Sequence, residues 1–323
     1  MRCLYVFNRF VEKYMFLVTP ACLIVGVLFS GQLGKLTPFV PYVFAFMTFC
    51  GSLNSRFRDI GSVFRHPLPL AATLLLIHLL VPLTARGAGH LFFSLHPLLI
   101  TGMVLEFVVP TAVVSVMWVS IYGGSGPFTL SVVLTDTLLA PFLVPLSLKF
   151  FVGSSVRIDP IGMMRELLFM IAVPALAALT FNQATGGKHQ KEFSRRLVPF
   201  GKMALIFVIS ANSSRVAPFV RHMTPLLFGV AASVFAMVAF GFAAGWLGAV
   251  LLRRDRAYTV SMMFNTGMRN ISAGAVIAAA YFPSEVLFPV MIATLFQQVL
   301  AAFFGQLLVR KAGTGGEATP ESG

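Results

Sequence analysis

The sequence predicts an all-α, polytopic membrane protein with about ten transmembrane helices. Of its 323 residues, 57% are hydrophobic and only 11% are charged, whereas a soluble domain has about 25% charged residues. Apolar runs of about 20 residues recur along the chain, and a helix of that length crosses a hydrocarbon core of about 30 Å. Lipid is therefore the expected solvent for much of the protein surface.

The predicted spans form two groups of five, separated by charged residues and by Pro or Gly. The first group covers residues 15–31, 38–53, 67–85, 97–121 and 127–152, and the second covers 165–181, 199–218, 225–252, 257–281 and 286–309. The chain then divides into a cytoplasmic N-terminus (1–14), a first five-helix repeat (15–153), a second repeat (154–311) and a polar, disordered cytoplasmic tail (312–323). The amphipathic residues 55–66 are expected to lie at the membrane interface or to form an ordinary cytoplasmic loop.

Both groups contain an interrupted span near their end. In the first group the interruption is at Pro110-Thr111, and in the second it is at residues 265–267. Many secondary transporters build a binding site from inverted repeats with discontinuous helices, because unwound backbone is tolerated in a membrane where it lines a cavity. This pattern predicts an inverted five-plus-five repeat and a role in transport.

Lys and Arg are concentrated in the N-terminus, in alternate loops and near the C-terminal end. By the positive-inside rule, this distribution predicts a multi-pass protein of the inner membrane with both termini in the cytoplasm. The net charge of +13 is spread between the apolar runs, so it does not form the clustered basic surface that nucleic-acid binding requires. No P-loop, HExxH, GxGxxG or nucleophile-elbow pattern occurs in the sequence, so we do not expect an enzyme.

Arg269 lies in the middle of a predicted span, where a full charge costs several kcal/mol unless it is paired or hydrated. We expect it to bind an anionic substrate or to form half of a switching ion pair; the alternative is a purely structural pair. Asp136 and Glu106 are the candidate partners. Asp136 is favoured because Thr135 and Thr137 flank it, whereas Glu106 could instead lie near the membrane surface.

Small polar residues surround both interruptions. They suit a hard cation or an anionic substrate that faces the N-terminal ends of half-helices, although Ser and Thr also join transmembrane helices by hydrogen bonds. The residues are Thr111, Ser115, Asn265, Thr266, Asn270 and Ser272. His78 lies in the third span, where it is either a proton carrier or a hydrogen-bonded packing residue.

Four segments resemble bacterial members of the bile acid:sodium symporter family. They are GSLNSRFRDIGSVFRHPL, VVPTAVVSVM, LSVVLTDTLLAPFLVPL and NTGMRNISAGAVIAAAYFP. The resemblance implies a core domain and a panel domain, with broken fourth and ninth helices that cross. It also implies two sodium ions at the crossing and an organic anion bound between core and panel.

The resemblance assigns cation-site positions residue by residue. By matched position, Ser115, Ser131 and Thr135 fall at the first sodium site. Asn265, Thr266, Met268 and Arg269 fall where the ligands of the ninth helix lie.

This sequence departs from the family pattern at the cation site. Asn265 stands where the family usually has an acid, Arg269 stands where it has a glutamine, and Ile77, next to His78, aligns with another family glutamine. Two unit charges of like sign 4 Å apart repel by about 4 kcal/mol at an effective dielectric constant of about 20. We therefore expect an altered second sodium site. Asp136 is expected to restore charge balance, by pairing with Arg269 or by contributing to a modified first site.

These observations predict a secondary transporter of a small organic anion, related to the sodium symporters but with an altered sodium site. One alternative is a sodium-independent or proton-coupled transporter with an Asp136/Arg269 switch. Another is a membrane ligand sensor, which is less favoured because no soluble signalling domain is attached. The expected partners are the organic anion and the lipid bilayer. No cofactor is expected besides Na⁺ as the candidate coupling ion.

Overall fold

The computed structural model describes residues 2–53, 55, 67–153, 159–185 and 190–313, and throughout this part of the chain the regular elements are helices. The predicted interfacial segment 55–66 lies outside the described residues except for Ser55. The last helix extends to Gly313, and the rest of the predicted tail lies outside the described residues as well.

The helices follow one another with short connections. The first eight are α1 (Arg2–Lys13), α2 (Met15–Leu28), α3 (Ser30–Leu33), α4 (Val40–Ser52), α5 (Pro67–Leu75), α6 (Val81–Phe93), α7 (Pro97–Val108) and α8 (Ser115–Ile121). The others are α9 (Gly126–Val152), α10 (Pro160–Leu167), α11 (Val173–Ala184), α12 (Gln190–Arg221), α13 (Pro225–Leu251), α14 (Arg256–Gly267), α15 (Ile271–Tyr281) and α16 (Ser284–Gly313). A 3₁₀ segment (Gly34–Phe39) precedes α4, and π-helical turns join α5 to α6 (Leu76–Leu80) and α10 to α11 (Leu168–Ala172).

Polar caps fix where several helices begin. The side chains of Ser125, Asp159, Thr224, Asp255 and Asn270 each accept a hydrogen bond from a backbone N–H in the first turn of the helix that follows. The first three are followed by a proline at the start of the helix, where its missing N–H costs nothing. The caps satisfy N–H groups that would otherwise be unpaired at a helix end.

Seven helical segments of the described chain are long and apolar enough to cross a membrane. They are Ser30–Ser52, Pro67–Phe93, Gly126–Val152, Pro160–Ala184, Glu192–Arg221, Pro225–Leu251 and Ser284–Val309. Three shorter apolar helices, Leu17–Leu28, Pro97–Val108 and Ile271–Tyr281, coincide with the other predicted spans. The protein is thus an all-helical, polytopic membrane protein, as predicted.

Two of the shorter segments are short because the helix is interrupted. The first break separates α7 from α8 between Val108 and Ser115, where it was predicted. The second was predicted at residues 265–267, and this position is wrong. Those residues form the last turn of α14, and the break comprises residues 268–270. Met268 is extended there, because its backbone pairs with the first break instead of continuing the helix.

The helices pack in two groups. Helix α12 packs against α2 and α4, and α11 packs against α4; we call α2, α4, α10, α11 and α12 the panel group. In the other group α7 packs against α6, α9 and α16, while α13 packs against α14 and α16; we call α5 to α9 and α13 to α16 the core group. Both breaks belong to the core group and lie close to the panel group.

Candidate functional site

The two breaks pair with each other through their backbones. Thr111 and Arg269 form an isolated antiparallel bridge. The Ala112 N–H donates to the Met268 carbonyl at 3.0 Å, and the Asn270 N–H donates to the Pro110 carbonyl at 2.8 Å. Unwound backbone inside a membrane must find such partners within the protein. Each break therefore satisfies polar groups of the other, and the two sets of polar residues predicted from the sequence meet here.

Side chains from three helices hold the paired breaks. The Gln297 amide of α16 accepts from the Arg269 N–H at 2.7 Å and donates to the Arg269 carbonyl at 3.1 Å. The Thr111 hydroxyl donates to the carbonyls of Asn265, at 2.7 Å, and Met268, at 3.1 Å. The Ser115 hydroxyl donates to the Asn265 side-chain oxygen at 3.0 Å. These bonds fix the register of the two breaks.

Asp136 connects the first break to His78. One carboxylate oxygen accepts from the Thr111 N–H at 2.7 Å, and the other lies 2.7 Å from His78 Nε2. Asp136 is completely buried, and His78 belongs to the π-helical turn of the span that contains α5 and α6. In this conformation Asp136 pairs with His78 and not with Arg269, so the expected Asp136–Arg269 contact is not present.

Arg269 is 1% exposed and is the largest of the fully buried side chains in the described structure. One guanidinium nitrogen, Nη2, donates to the Ile77 carbonyl at 3.2 Å. Within the described residues, Nε and Nη1 have no hydrogen-bond partner, and the guanidinium makes no ion pair within 4.0 Å. Asp136 and Glu106 are the acids whose charges act on it.

Glu106 lies in the last turn of α7, immediately before the first break. Its side chain is completely buried within the protein. Neither of its carboxylate oxygens has a hydrogen-bond partner among the residues that the structure describes. An acid and a guanidinium with unsatisfied polar atoms thus share one buried region, and each is the natural counter-charge of the other.

The remaining predicted cation-site residues differ in whether their polar side-chain atoms are hydrogen-bonded. The Ser131 hydroxyl donates to the Pro127 carbonyl of its own helix at 2.8 Å. The Asn270 side chain caps α15 by accepting from the Ala273 N–H at 3.2 Å. In the described chain, the hydroxyls of Thr135 and Thr266 have no hydrogen-bond partner. Only some of the predicted ligand oxygens are therefore free to bind an ion in this conformation.

The roles of Gln297 and of the Ile77 carbonyl were not predicted from the sequence. Gln297 and Gln298 form a polar pair in an otherwise apolar span, and this pair is the signal in the sequence for a group that binds the break. The Ile77 carbonyl had no signal in the sequence, because any residue offers a carbonyl group.

A cavity of about 460 Å³ lies between the panel group and the paired breaks. Panel residues in its wall include Phe44, Met47, Lys202, Leu205 and Asn212, and core residues include Val113, Asn270, Ser272 and Thr294. Its size is within the range of small-molecule sites.

The cavity follows one face of α12 from Val198 to Asn212. Beyond this stretch, Arg215 donates to the Ala279 carbonyl at the end of α15, and Arg221 donates to the Val27 carbonyl and to the Ser30 hydroxyl. At this end of α12, away from the cavity, the Arg215 bond joins the panel group to the core group, whereas the Arg221 bonds join α12 to its neighbours α2 and α3.

Comparison with known proteins identifies related transporters. Residues 41–222 match the family model described as the sodium bile acid symporter family. The "Uncharacterized protein YbaS" of Bacillus subtilis (strain 168) is 43% identical over 294 residues, which cover 91% of this chain and 96% of that protein. The "Uncharacterized sodium-dependent transporter YocS" of the same organism is 22% identical over 264 residues, covering 80% of this chain and 79% of that protein.

A plant protein is also similar. The "Probable sodium/metabolite cotransporter BASS1, chloroplastic" of Arabidopsis thaliana is 24% identical over 304 residues, which cover 91% of this chain and 73% of that protein. The similarity extends over both breaks.

Replacing Gln297 with Met should lower the free energy of unfolding by about 2–4 kcal/mol, because two buried backbone groups of Arg269 lose their partners. Gln298→Met is the matched control, since the Gln298 side chain accepts one bond from Trp118 Nε1 at 2.9 Å and its loss should cost about 1 kcal/mol. Denaturant unfolding in detergent measures both. Equal losses in the two variants would contradict the assigned role of Gln297.

Proposed function

Because the chain belongs to the sodium bile acid symporter family, we propose that it is a secondary transporter of a small organic anion. The family consists of membrane transporters and not of enzymes, which agrees with the sequence analysis. The observation that carries the proposal is the cavity at the paired breaks, since unwound backbone in a membrane is tolerated where it lines a site. Positive N-terminal ends of half-helices suit an anionic group there.

In the proposed architecture there are ten transmembrane segments, which form an inverted five-plus-five repeat with two crossing, broken helices. Seven of them are the long apolar segments. The other three are α2, the broken pair α7 and α8, and the broken pair α14 and α15. The presence of one broken segment in each half of the chain supports this arrangement. We retain the inner membrane and cytoplasmic termini as part of the proposal, on the distribution of Lys and Arg.

Transport would occur by movement of the core group against the panel group. The cavity reaches along one half of α12, and the bond from Arg215 to the Ala279 carbonyl joins panel and core at the other end. One state of an alternating-access cycle requires a site that is open at one end and closed by contacts between panel and core at the other. The bond of Arg215 would break as the second state forms.

We propose that the coupling ion is sodium and that its site is altered. The names of two relatives, a sodium-dependent transporter and a sodium/metabolite cotransporter, support the choice of ion. The residues fit only part of such a site. Asp136 and the free Thr135 hydroxyl are suitable oxygen ligands, whereas the hydroxyls of Thr111 and Ser115 donate to the oxygens of Asn265.

Arg269 supplies the charge that a second ion would otherwise bring. Its guanidinium is buried in the region of Asp136 and Glu106, and a sodium ion 4 Å from it would meet a repulsion of about 4 kcal/mol. The guanidinium thus acts as a resident cation, and this region binds at most one sodium ion.

A second candidate is sodium-independent transport with Asp136 as a switch. Asp136 binds His78 in this conformation, while its charge also acts on Arg269. Exchange of partners during the cycle would then replace ion binding.

Sodium should stabilise the protein relative to potassium at equal ionic strength, by about 2.7 kcal/mol at 100 times the dissociation constant. Arg269→Gln removes the repulsion between the guanidinium and sodium. Sodium should therefore stabilise this variant at a concentration at least tenfold lower than the wild-type protein requires. Thermal unfolding in detergent measures both effects. Indifference of both proteins to sodium would reject the altered sodium site and favour the second candidate.

The transport claim itself is tested with liposomes that contain the purified protein and carry an inward sodium gradient. Uptake of radiolabelled short carboxylates should exceed that of empty liposomes, and Ser272→Trp, which fills the cavity at the start of α15, should abolish it. Ile161→Trp is the control, because this residue is exposed on α10 away from the cavity. Equal uptake with and without the protein would contradict a transporter of such anions.

A further inference from the structure

One π-helical turn of the core group, Leu76–Leu80, contacts two opposite charges. The carbonyl of Ile77 accepts from Arg269 Nη2 at 3.2 Å. The next residue, His78, places Nε2 at 2.7 Å from a carboxylate oxygen of Asp136. In the described structure Asp136 and Arg269 form no ion pair within 4.0 Å, although their charges act on each other. Each of the two charges is therefore bound to this turn and not to the other charge.

The sequence explains why the Ile77 carbonyl is available to a guanidinium. In an α-helix, this carbonyl would accept from the N–H of residue 81. Here the Val81 N–H donates to the Leu76 carbonyl, five residues earlier, as in a π-helix. The next bond of that pattern would join the Ile77 carbonyl to residue 82, but Pro82 has no N–H. Arg269 takes the place of the missing donor.

The imidazole of His78 supplies the second contact of the turn. An ionised carboxylate only accepts hydrogen bonds, so the Nε2 beside Asp136 is a protonated ring nitrogen. The other ring nitrogen, Nδ1, is buried and has no partner in the described chain, as suits a neutral imidazole. The ring thus binds Asp136 without cancelling its negative charge.

Rearrangement of the turn would act on both charges together. Ile77 and His78 are adjacent, so a change in the backbone of the turn withdraws both contacts at once. An unpaired charge is costly inside a membrane protein, and a carboxylate and a guanidinium released in one buried region would therefore bind each other. π-Helical turns are rare and occur frequently at functional sites.

We propose that the turn Leu76–Leu80 keeps Asp136 and Arg269 apart, with His78 as the positioning residue that sets the partner of Asp136. Rearrangement of the turn during the transport cycle releases both groups, which then form the ion pair that this conformation lacks. In that second conformation the carboxylate is bound to the guanidinium and is no longer available to sodium. The inference rests on the proposed function, since it assumes a transport cycle.

Removing the imidazole should strengthen the coupling between the two charges. A double-mutant cycle of Asp136→Asn and Arg269→Gln measures this coupling by denaturant unfolding in sodium-free buffer at fixed pH. In the His78→Leu background, the coupling factor in the unfolding equilibrium constant should be at least tenfold larger than in the wild-type background, which corresponds to about 1.4 kcal/mol. His78→Gln keeps an N–H donor for the carboxylate and should give the wild-type coupling.

A second variant, Pro82→Ala, changes the turn without altering His78 or either charge. The new N–H at residue 82 can donate to the Ile77 carbonyl and displace the guanidinium, so the coupling should rise at least tenfold here as well. The matched controls are His90→Leu, an exposed histidine of the same span, and Pro67→Ala, an exposed proline at the first position of α5. Both controls should leave the coupling unchanged.

Sodium provides a measurement that needs no cycle of variants. When His78→Leu lets Asp136 bind Arg269, sodium has to displace the guanidinium from the carboxylate. It should then stabilise this variant only at a concentration at least tenfold higher than the wild-type protein requires, and His78→Gln should restore the wild-type requirement. Thermal unfolding in detergent at constant ionic strength measures these concentrations.

The outcomes separate this inference from the proposed function. Unchanged coupling in His78→Leu would overturn the role of His78, and unchanged coupling in Pro82→Ala would overturn the role of the turn; if one variant does not fold, the other decides. A sodium requirement that falls in His78→Leu would also overturn the inference, because His78 would then compete with sodium for Asp136. Indifference of the wild-type protein to sodium would reject the sodium site, while the sodium-free cycle still decides the inference.

Discussion

The guanidinium of Arg269 lies at 1% exposure inside a helical membrane protein, where a charge costs several kcal/mol unless its surroundings compensate it. The surroundings of this charge are specific: the Ile77 carbonyl accepts a bond from it, and two buried acids, Asp136 and Glu106, act on it. Its backbone is held by Gln297. Compensation of this one charge thus involves the π-helical turn after α5 and the helices α7, α9 and α16.

Pairing of the two breaks places this charge beside the cavity. The bridge between Thr111 and Arg269 joins segments that are far apart in sequence, and the same segments contribute Val113 and Asn270 to the cavity wall. A movement that changes the substrate cavity therefore acts on the charged region as well. In the proposed function, this connection would couple an anion in the cavity to a cation in the core group. Arg269 as a resident cation would alter that coupling, because part of the charge never leaves.

Hydropathy predicted the helical spans well because lipid demands long apolar helices, and the polar residues around Pro110-Thr111 indicated the first break correctly. The predicted position of the second break was wrong because Asn265, Thr266 and Gly267, although polar or small, are helical. The residues that follow them unwind instead and pair with the first break. The pairing of Asp136 with His78, 58 positions away, depends on how α9 packs near the π-helical turn. Such long-range partners are set by tertiary packing and could not be read from one sequence.

A double-mutant cycle of Arg269 and Glu106 tests most directly whether this buried acid helps to compensate the buried guanidinium. Arg269→Met alone should destabilise the protein by about 3–5 kcal/mol, since it leaves buried acids uncompensated. In a sodium-free buffer, adding Glu106→Gln to that variant should restore at least about 1.5 kcal/mol of the lost free energy of unfolding, as expected for coupled residues. As a control, the effect of the surface substitution Asp159→Asn on the free energy of unfolding should simply add to that of Arg269→Met. Strict additivity of Arg269→Met and Glu106→Gln in denaturant unfolding would contradict the account.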